Sequence, residues 1–207
     1  MKKSAVILAG GVSQRLGGEK GLVSLAGKPI ILHVLDQVSK IVNEKVVVVG
    51  SDVQKEKIVN TVKNRARVVM DECEAQSPLV GALTGFKHAH GDYSLLLPCD
   101  TPFISPEIAS LLLQACIKKA AAIPRWPNGF IEPLQAAYHT KSAFEASKTS
   151  FEEEKLDLQS MIAHLPNVRY VSTLVLRQID QKLLTFLNVN TLEDLKKAES
   201  ILKKTTM

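Results

Sequence analysis

The sequence predicts an α/β fold three layers deep (αβα), with a mostly parallel sheet and helices on both faces. Three observations predict it. Short apolar runs recur without polar alternation, as in strands buried on both faces. Between them fall longer segments with apolar residues every three or four positions. The order strand, loop, helix, strand then repeats along the chain, which favours parallel pairing.

Residues 4–9 open the sheet. In KPIILHVLDQVSKIV (28–42), Pro29 suits a first helical turn, and Ile31, Val34, Leu35, Val38, Ile41 and Val42 form one apolar stripe. A strand over 45–49, a helix over 54–62 and a strand over 67–70 follow. Next come a helix over 79–89 and the buried strand 93–97. The pattern then predicts a helix at 106–119, strands at 120–123 and 134–138, a helix at 156–164 and a strand at 168–172. In NTLEDLKKAESIL, Thr191 can cap the last helix, with Asp194 three residues on. Residues 71–78, 125–133 and 147–155 read as loops. No repeat or low-complexity segment interrupts the 207 residues, and one domain over 1–207 is the expectation.

The net charge of +5 comes from scattered lysines, and aromatic residues are only 5% of the chain. A nucleic-acid binder needs a dense basic stripe with interleaved aromatics, so no nucleic-acid partner is expected. Cys73, Cys99 and Cys116 are far apart, odd in number and form no C-x-x-C pair, so neither a disulfide framework nor a zinc site is implied, and a reducing compartment is expected. The start MKKSAVILAGG carries too short an apolar run for a signal peptide, and no stretch approaches the roughly 18 apolar residues of a membrane span. A cytoplasmic protein with no membrane partner is expected.

LAGGVSQRLGGEKGL (8–22) follows the first strand. Gly10 and Gly11 let the chain turn with its N–H groups outward, where no Cβ keeps an anion from the main chain. Arg15 offers a planar fork for phosphate oxygens and Lys20 a mobile point charge. Two cations beside a backbone cradle suggest a polyphosphate. Neither Gly17 nor Gly18 is followed by the lysine of a Walker A loop, and the register does not fit G-x-G-x-x-G. LLLPCDTPFISPE places Asp100 at the end of a buried strand, where a carboxylate can hold a divalent ion alongside substrate phosphates.

The stretch LAGGVSQRLGGEKGLVSLAGKPIILHV resembles L-A-G-G-x-S-x-R-x-G-x-x-K, the signature of nucleotidyltransferases that activate molybdopterin and, more distantly, sugar phosphates. Its A-G-G is the variant of the molybdenum cofactor guanylyltransferases, the molybdopterin-guanine dinucleotide biosynthesis protein A family of the nucleotide-diphospho-sugar transferase superfamily. The cytidylyltransferases and many sugar-phosphate enzymes carry L-A-A-G. CDTP, PLVGAL, GFIEPLQAAYH and LNVNTLEDL match later family segments in order. Ser77 stands where the family usually has glycine, and after the second strand only Ser51 or Asp52 offers a polar nucleotide contact.

The resemblance implies a Rossmann-like nucleotidyltransferase fold that joins GMP from GTP to the terminal phosphate of molybdopterin and releases pyrophosphate. It implies Arg15, Lys20 and Asp100 as catalytic, and Leu8, Ala9, Gly10, Gly11, Lys20, Asp71 and Asp100 at the nucleotide. Mg²⁺ would lie on Asp100, and Asn188 and Asn190 at the acceptor. The reaction joins two anions, so neutralisation and alignment dominate, and an already ionised phosphate monoester demands no general base. GTP and molybdopterin are the expected small-molecule partners, with transient contact to other molybdenum-cofactor proteins and a monomer or small homo-oligomer as the state. Two alternatives stand: another acceptor, adenosylcobinamide phosphate or a sugar phosphate, and a non-catalytic GTP-binding partner in cofactor assembly.

Overall fold

The computed structural model describes residues 1–13, 18–71, 73, 75 and 77–205. Among them, seven strands form one sheet: β1 (Lys3–Leu8), β6 (Glu44–Val49), β7 (Arg67–Met70), β8 (Tyr93–Pro98), β9 (Ala121–Arg125), β10 (Ala136–His139) and β11 (Val168–Ser172). Their spatial order is β11-β9-β10-β8-β1-β6-β7, and every pairing is parallel except those of β10 with β8 and β9. Two short hairpins, β2 (Val12–Ser13) with β3 (Gly18–Glu19) and β4 (Ser24–Leu25) with β5 (Lys28–Pro29), fill the connection after β1.

Alternation along β1 divides the core. Ala5 and Ile7 face a layer formed by α1 (Ile30–Val38), α2 (Asp52–Val62) and α4 (Pro106–Ala115). Val6 faces the opposite layer, formed by α3 (Pro78–His88), α5 (Thr140–Glu152) and α6 (Leu158–Ala163). The expected three-layer α/β architecture is therefore present, each apolar residue of a central strand meeting a helix on its own side. Close packing on the second side depends on Gly85 of α3, where a Cβ would lie 2.1 Å from Val6 Cγ1.

Several elements differ from the sequence reading. Helix α5 runs into the loop expected at 147–155, because its buried face carries Thr140, Ala143, Ala146, Ser147 and Ser150 and so shows no large apolar period. Helix α1 stops at Val38, four residues before Val42, where the Ser39 hydroxyl donates to the Leu35 carbonyl at 2.5 Å. Pro29 precedes that helix rather than opening its first turn. Helix α4 ends at Ala115, short of 119, and the strand expected at 134–138 begins at Ala136 after a turn over Pro133–Gln135. The short α7 (Thr173–Leu176) has no counterpart in the sequence pattern.

The final helix, α8 (Leu192–Thr205), starts as expected. Thr191 Oγ1 accepts from Asp194 N at 3.1 Å, while Asp194 Oδ2 accepts from Thr191 N at 2.9 Å, a reciprocal cap. Among the described residues no helix is long and apolar enough to cross a membrane.

Candidate functional site

From β1 the chain passes to β6 and β7 on one side and then crosses to β8 on the other. Such a reversal leaves a crevice beyond the carboxyl ends of the strands. A cleft of about 410 Å³ lies there, lined by Leu8, Gly10, Gly11 and Lys20, by Val48 and Gly50 after β6, by Asp71, by Ser77, Pro78 and Gly81 of α3, by Pro98, Cys99 and Asp100, and by Leu134.

Three distant segments converge on one ammonium group. Lys20 Nζ donates to Asp100 Oδ2 at 3.1 Å and to Asn190 Oδ1 at 2.6 Å. Each partner is held by its own backbone. Cys99 N donates to the Leu8 carbonyl at 3.1 Å, which fixes the end of β8 beside the loop after β1, and Val189 N donates to the Asp100 carbonyl at 2.9 Å. Asn190 N also donates to Asp194 Oδ2 at 3.1 Å, so the cap of α8 presents Asn190 to Lys20. Asn190 retains its amide NH₂ as a donor, whereas Asn188 is exposed and lies outside this hydrogen-bonded cluster.

Asp100 is buried, and its Oδ1 has no hydrogen-bond partner among the described residues. A buried carboxylate oxygen left without a donor is costly unless a ligand completes it. Among the described residues no three metal-ligating side chains cluster, and Mg²⁺ characteristically takes one or two carboxylates together with substrate phosphates. The donor set at Asp100 fits that ion. Cys99 beside it is fully buried, and burial pushes its thiol up to about 12, so it stays protonated.

Asp71 directly follows β7 and lines the opposite wall of the cleft. Burial raises its carboxyl above the usual range, the hydroxyl of Thr84 partly offsetting this, and Asp71 Oδ1 is buried without a partner among the described residues. Ser77, where the family usually has glycine, caps α3: its Oγ accepts from Val80 N at 3.2 Å.

Leu8, Gly10, Gly11, Lys20, Asp71 and Asp100 thus line one cleft, and Asn190 reaches Lys20. Ala9 does not line it: its side chain is buried in the core and its N–H donates to the Val48 carbonyl at 2.7 Å. Arg15 lies outside the described residues. Ser51 caps α2, accepting from Gln54 N at 3.3 Å.

Sequence reasoning missed Gly50, Leu134 and a clamp made by Gln54. That buried amide donates to the Gly10 carbonyl at 3.2 Å and accepts from Gly50 N at 3.0 Å, tying together the two loops that wall the cleft. Glycine at position 10 suits this approach, since a Cβ there would lie 3.1 Å from Gly50 N, tighter than ordinary van der Waals contact. The signal was a glycine directly after a buried strand with an amide four residues on.

The family model described as MobA-like NTP transferase domain matches residues 5–168. A Methanosarcina mazei protein named "Probable molybdenum cofactor guanylyltransferase" is 34% identical over 198 residues, covering 93% of this chain and 88% of that protein. A Pyrococcus horikoshii protein of the same name is 34% identical, covering 94% and 98%. The crystal structure of molybdopterin-guanine dinucleotide biosynthesis protein A from Archaeoglobus fulgidus is 30% identical, with a TM-score of 0.83 over 97% of this chain and 99% of that one. The chain belongs to the MobA-like NTP transferase family.

Proposed function

We propose that residues 1–207 act as one nucleotidyltransferase domain that transfers GMP from GTP to the terminal phosphate of molybdopterin, releasing pyrophosphate and forming molybdopterin guanine dinucleotide. The names of the relatives support guanylyl transfer. The observation that carries the reading is the meeting of Lys20, Asp100 and Asn190 at the mouth of a cleft walled by Gly10, Gly11 and Asp71.

In this reading the N–H groups at Gly10 and Gly11 receive phosphate oxygens, and Leu8 and Ala9 set the backbone that carries them. Arg15 and Lys20 offset the negative charge that gathers as the acceptor phosphate approaches the α-phosphorus. Opposite charges about 4 Å apart attract by up to about 4 kcal/mol at an effective dielectric of 20, before desolvation is subtracted. Asp71 accepts hydrogen bonds from the nucleoside at the far wall. Asp100 would hold Mg²⁺, which when bound supplies Lewis-acid polarisation of the phosphate oxygens and further charge neutralisation. Asn188 and Asn190 receive the acceptor on the side of α8, and Asn190 also steadies Lys20. The acceptor phosphate is ionised near neutral pH and attacks without a general base.

Pyrophosphate release tests catalysis. Protein, Mg²⁺, GTP and molybdopterin together are expected to release pyrophosphate, while omission of molybdopterin abolishes it and Asp100→Ala lowers it on the order of 10²–10³-fold. GTP binding without pyrophosphate release would make the chain a non-catalytic partner. Undiminished Mg²⁺-dependent turnover by Asp100→Ala would remove the metal assignment.

A further inference from the structure

We propose that Trp126 and Glu132 form a recognition pair for the ring system of the acceptor, a flat fused heterocycle of the pterin class that lies against the indole and donates two N–H groups to the carboxylate. The proposal rests on the guanylyl-transfer reading for the identity of the acceptor.

Strands β8 and β9 both run antiparallel to β10, so they are parallel to each other. The chain leaving β9 at Arg125 therefore emerges at the same edge of the sheet as Asp100 leaving β8. The two strands are separated by β10 alone, roughly 10 Å apart at the spacing of neighbouring strands. Residues 126–133 then return into the turn at Leu134, which lines the cleft. By the strand order this loop lies on the side of Asp100 away from Gly50 and Asp71, where the nucleotide is assigned, and only Leu134 at its end lines the cleft. A ring joined to a phosphate at Asp100 would have to span about 10 Å to meet it.

The chemistry of the pair suits a pterin. Trp126 Nε1 donates to Glu132 Oε1 at 2.7 Å. The indole is half-buried and tilted against Phe186, with centroids 5.7 Å apart, and Phe186 lies two residues before Asn188. Backbone bonds hold both residues in place: Trp126 N donates to the Phe130 carbonyl at 2.8 Å, and Glu132 N to the Pro124 carbonyl at 3.0 Å. Glu132 Oε2 makes no hydrogen bond to another described residue, and a carboxylate has room for several donors. Burial pushes the Glu132 carboxyl up, with the indole N–H only partly offsetting it, so added donors would favour its charged form. The 2-amino and N3–H groups of a pterin supply two donors side by side, and its ring supplies a face for the indole.

Trp126 is the chain's only tryptophan, so its fluorescence reports on the pair. The full chain is titrated with 6-hydroxymethylpterin, which lacks a phosphate and is read without turnover, and calorimetry is run in parallel. Saturable binding is expected, weakened about tenfold or more in Glu132→Gln, which keeps an oxygen for the indole but loses the charge. Trp126→Leu, read by calorimetry, is expected to lose a similar factor through its missing ring face. GTP affinity should be unchanged in both, and the KM for molybdopterin in Glu132→Gln should rise about tenfold while kcat holds. Wild-type pterin affinity in either variant, or equal losses of pterin and GTP affinity, overturns the pair. Absent guanylyl transfer with pterin binding intact counts against the reaction alone, whereas transfer with an unaltered molybdopterin KM in Glu132→Gln counts against the pair alone.

Discussion

Lys20 Nζ lies 3.1 Å from Asp100 Oδ2, although 80 residues separate the two in sequence. The lysine side chain is 28% exposed and the aspartate 8%. A pair this accessible at one partner contributes on the order of 1 kcal/mol or less to folding, so its value is positional. It places a cation beside a carboxylate whose second oxygen has no described partner, at the edge where the loop after β1 and the segment before α8 meet.

Asn190 should act partly through Lys20. Lys20→Met is expected to lower kcat/KM on the order of 10²–10³-fold, and Asn190→Ala by about tenfold. In the double variant the losses should be less than additive, because one side chain orients the other. Additive losses in this cycle, with the Asn190→Ala effect confined to the KM for molybdopterin, would restrict Asn190 to the acceptor.

Asp71 sets function against stability. Its carboxyl is raised by burial, so the folded state holds the proton more tightly than the unfolded chain. Stability contributed by the protonated form is complete below the unfolded value of about 3.9 and is lost as pH rises through the higher folded value. Asp71→Asn is therefore expected to flatten that acid-range decline and, without ligand at neutral pH, to melt above the wild type, while binding GTP more weakly. Thermal melts between pH 3 and pH 7 check the first statement, and calorimetry at pH 7 the second.

Gln54→Leu removes the clamp between Gly10 and Gly50 and leaves a carbonyl and an N–H without their partner. The expected cost is about 1–3 kcal/mol in urea denaturation, with a raised KM for GTP. A stability loss without any change in that KM would make Gln54 a fold residue only.

Much of the fold was legible because the central strands are buried on both faces and show uninterrupted apolar runs, as in Val46–Val49 and Leu95–Leu97. Helix α5 was not, because small residues mediate its packing: Ser147 Oγ donates to the Ala143 carbonyl at 2.7 Å and meets Met161 Sδ at 3.0 Å. Periodicity registers large apolar side chains and passes over such a face.

Within the site, the glycine loop and Asp100 carry local signals because each follows a buried strand, whereas Asp71 follows the edge strand β7, whose residues are exposed or half-buried. The clamp of Gln54 and the Lys20–Asn190 contact depend on loops brought together by strand order, which no local spacing encodes. Ala9 shows the converse. It belongs to the loop motif but turns into the core, because the residues flanking it alternate toward the cleft.

Base choice tests the central claim most directly. Purified protein with Mg²⁺ and molybdopterin is offered GTP, CTP and ATP in parallel, and the products are identified by mass. Molybdopterin guanine dinucleotide, formed with GTP and at most marginally with the others, is the expected result. Product with CTP alone would contradict guanylyl transfer.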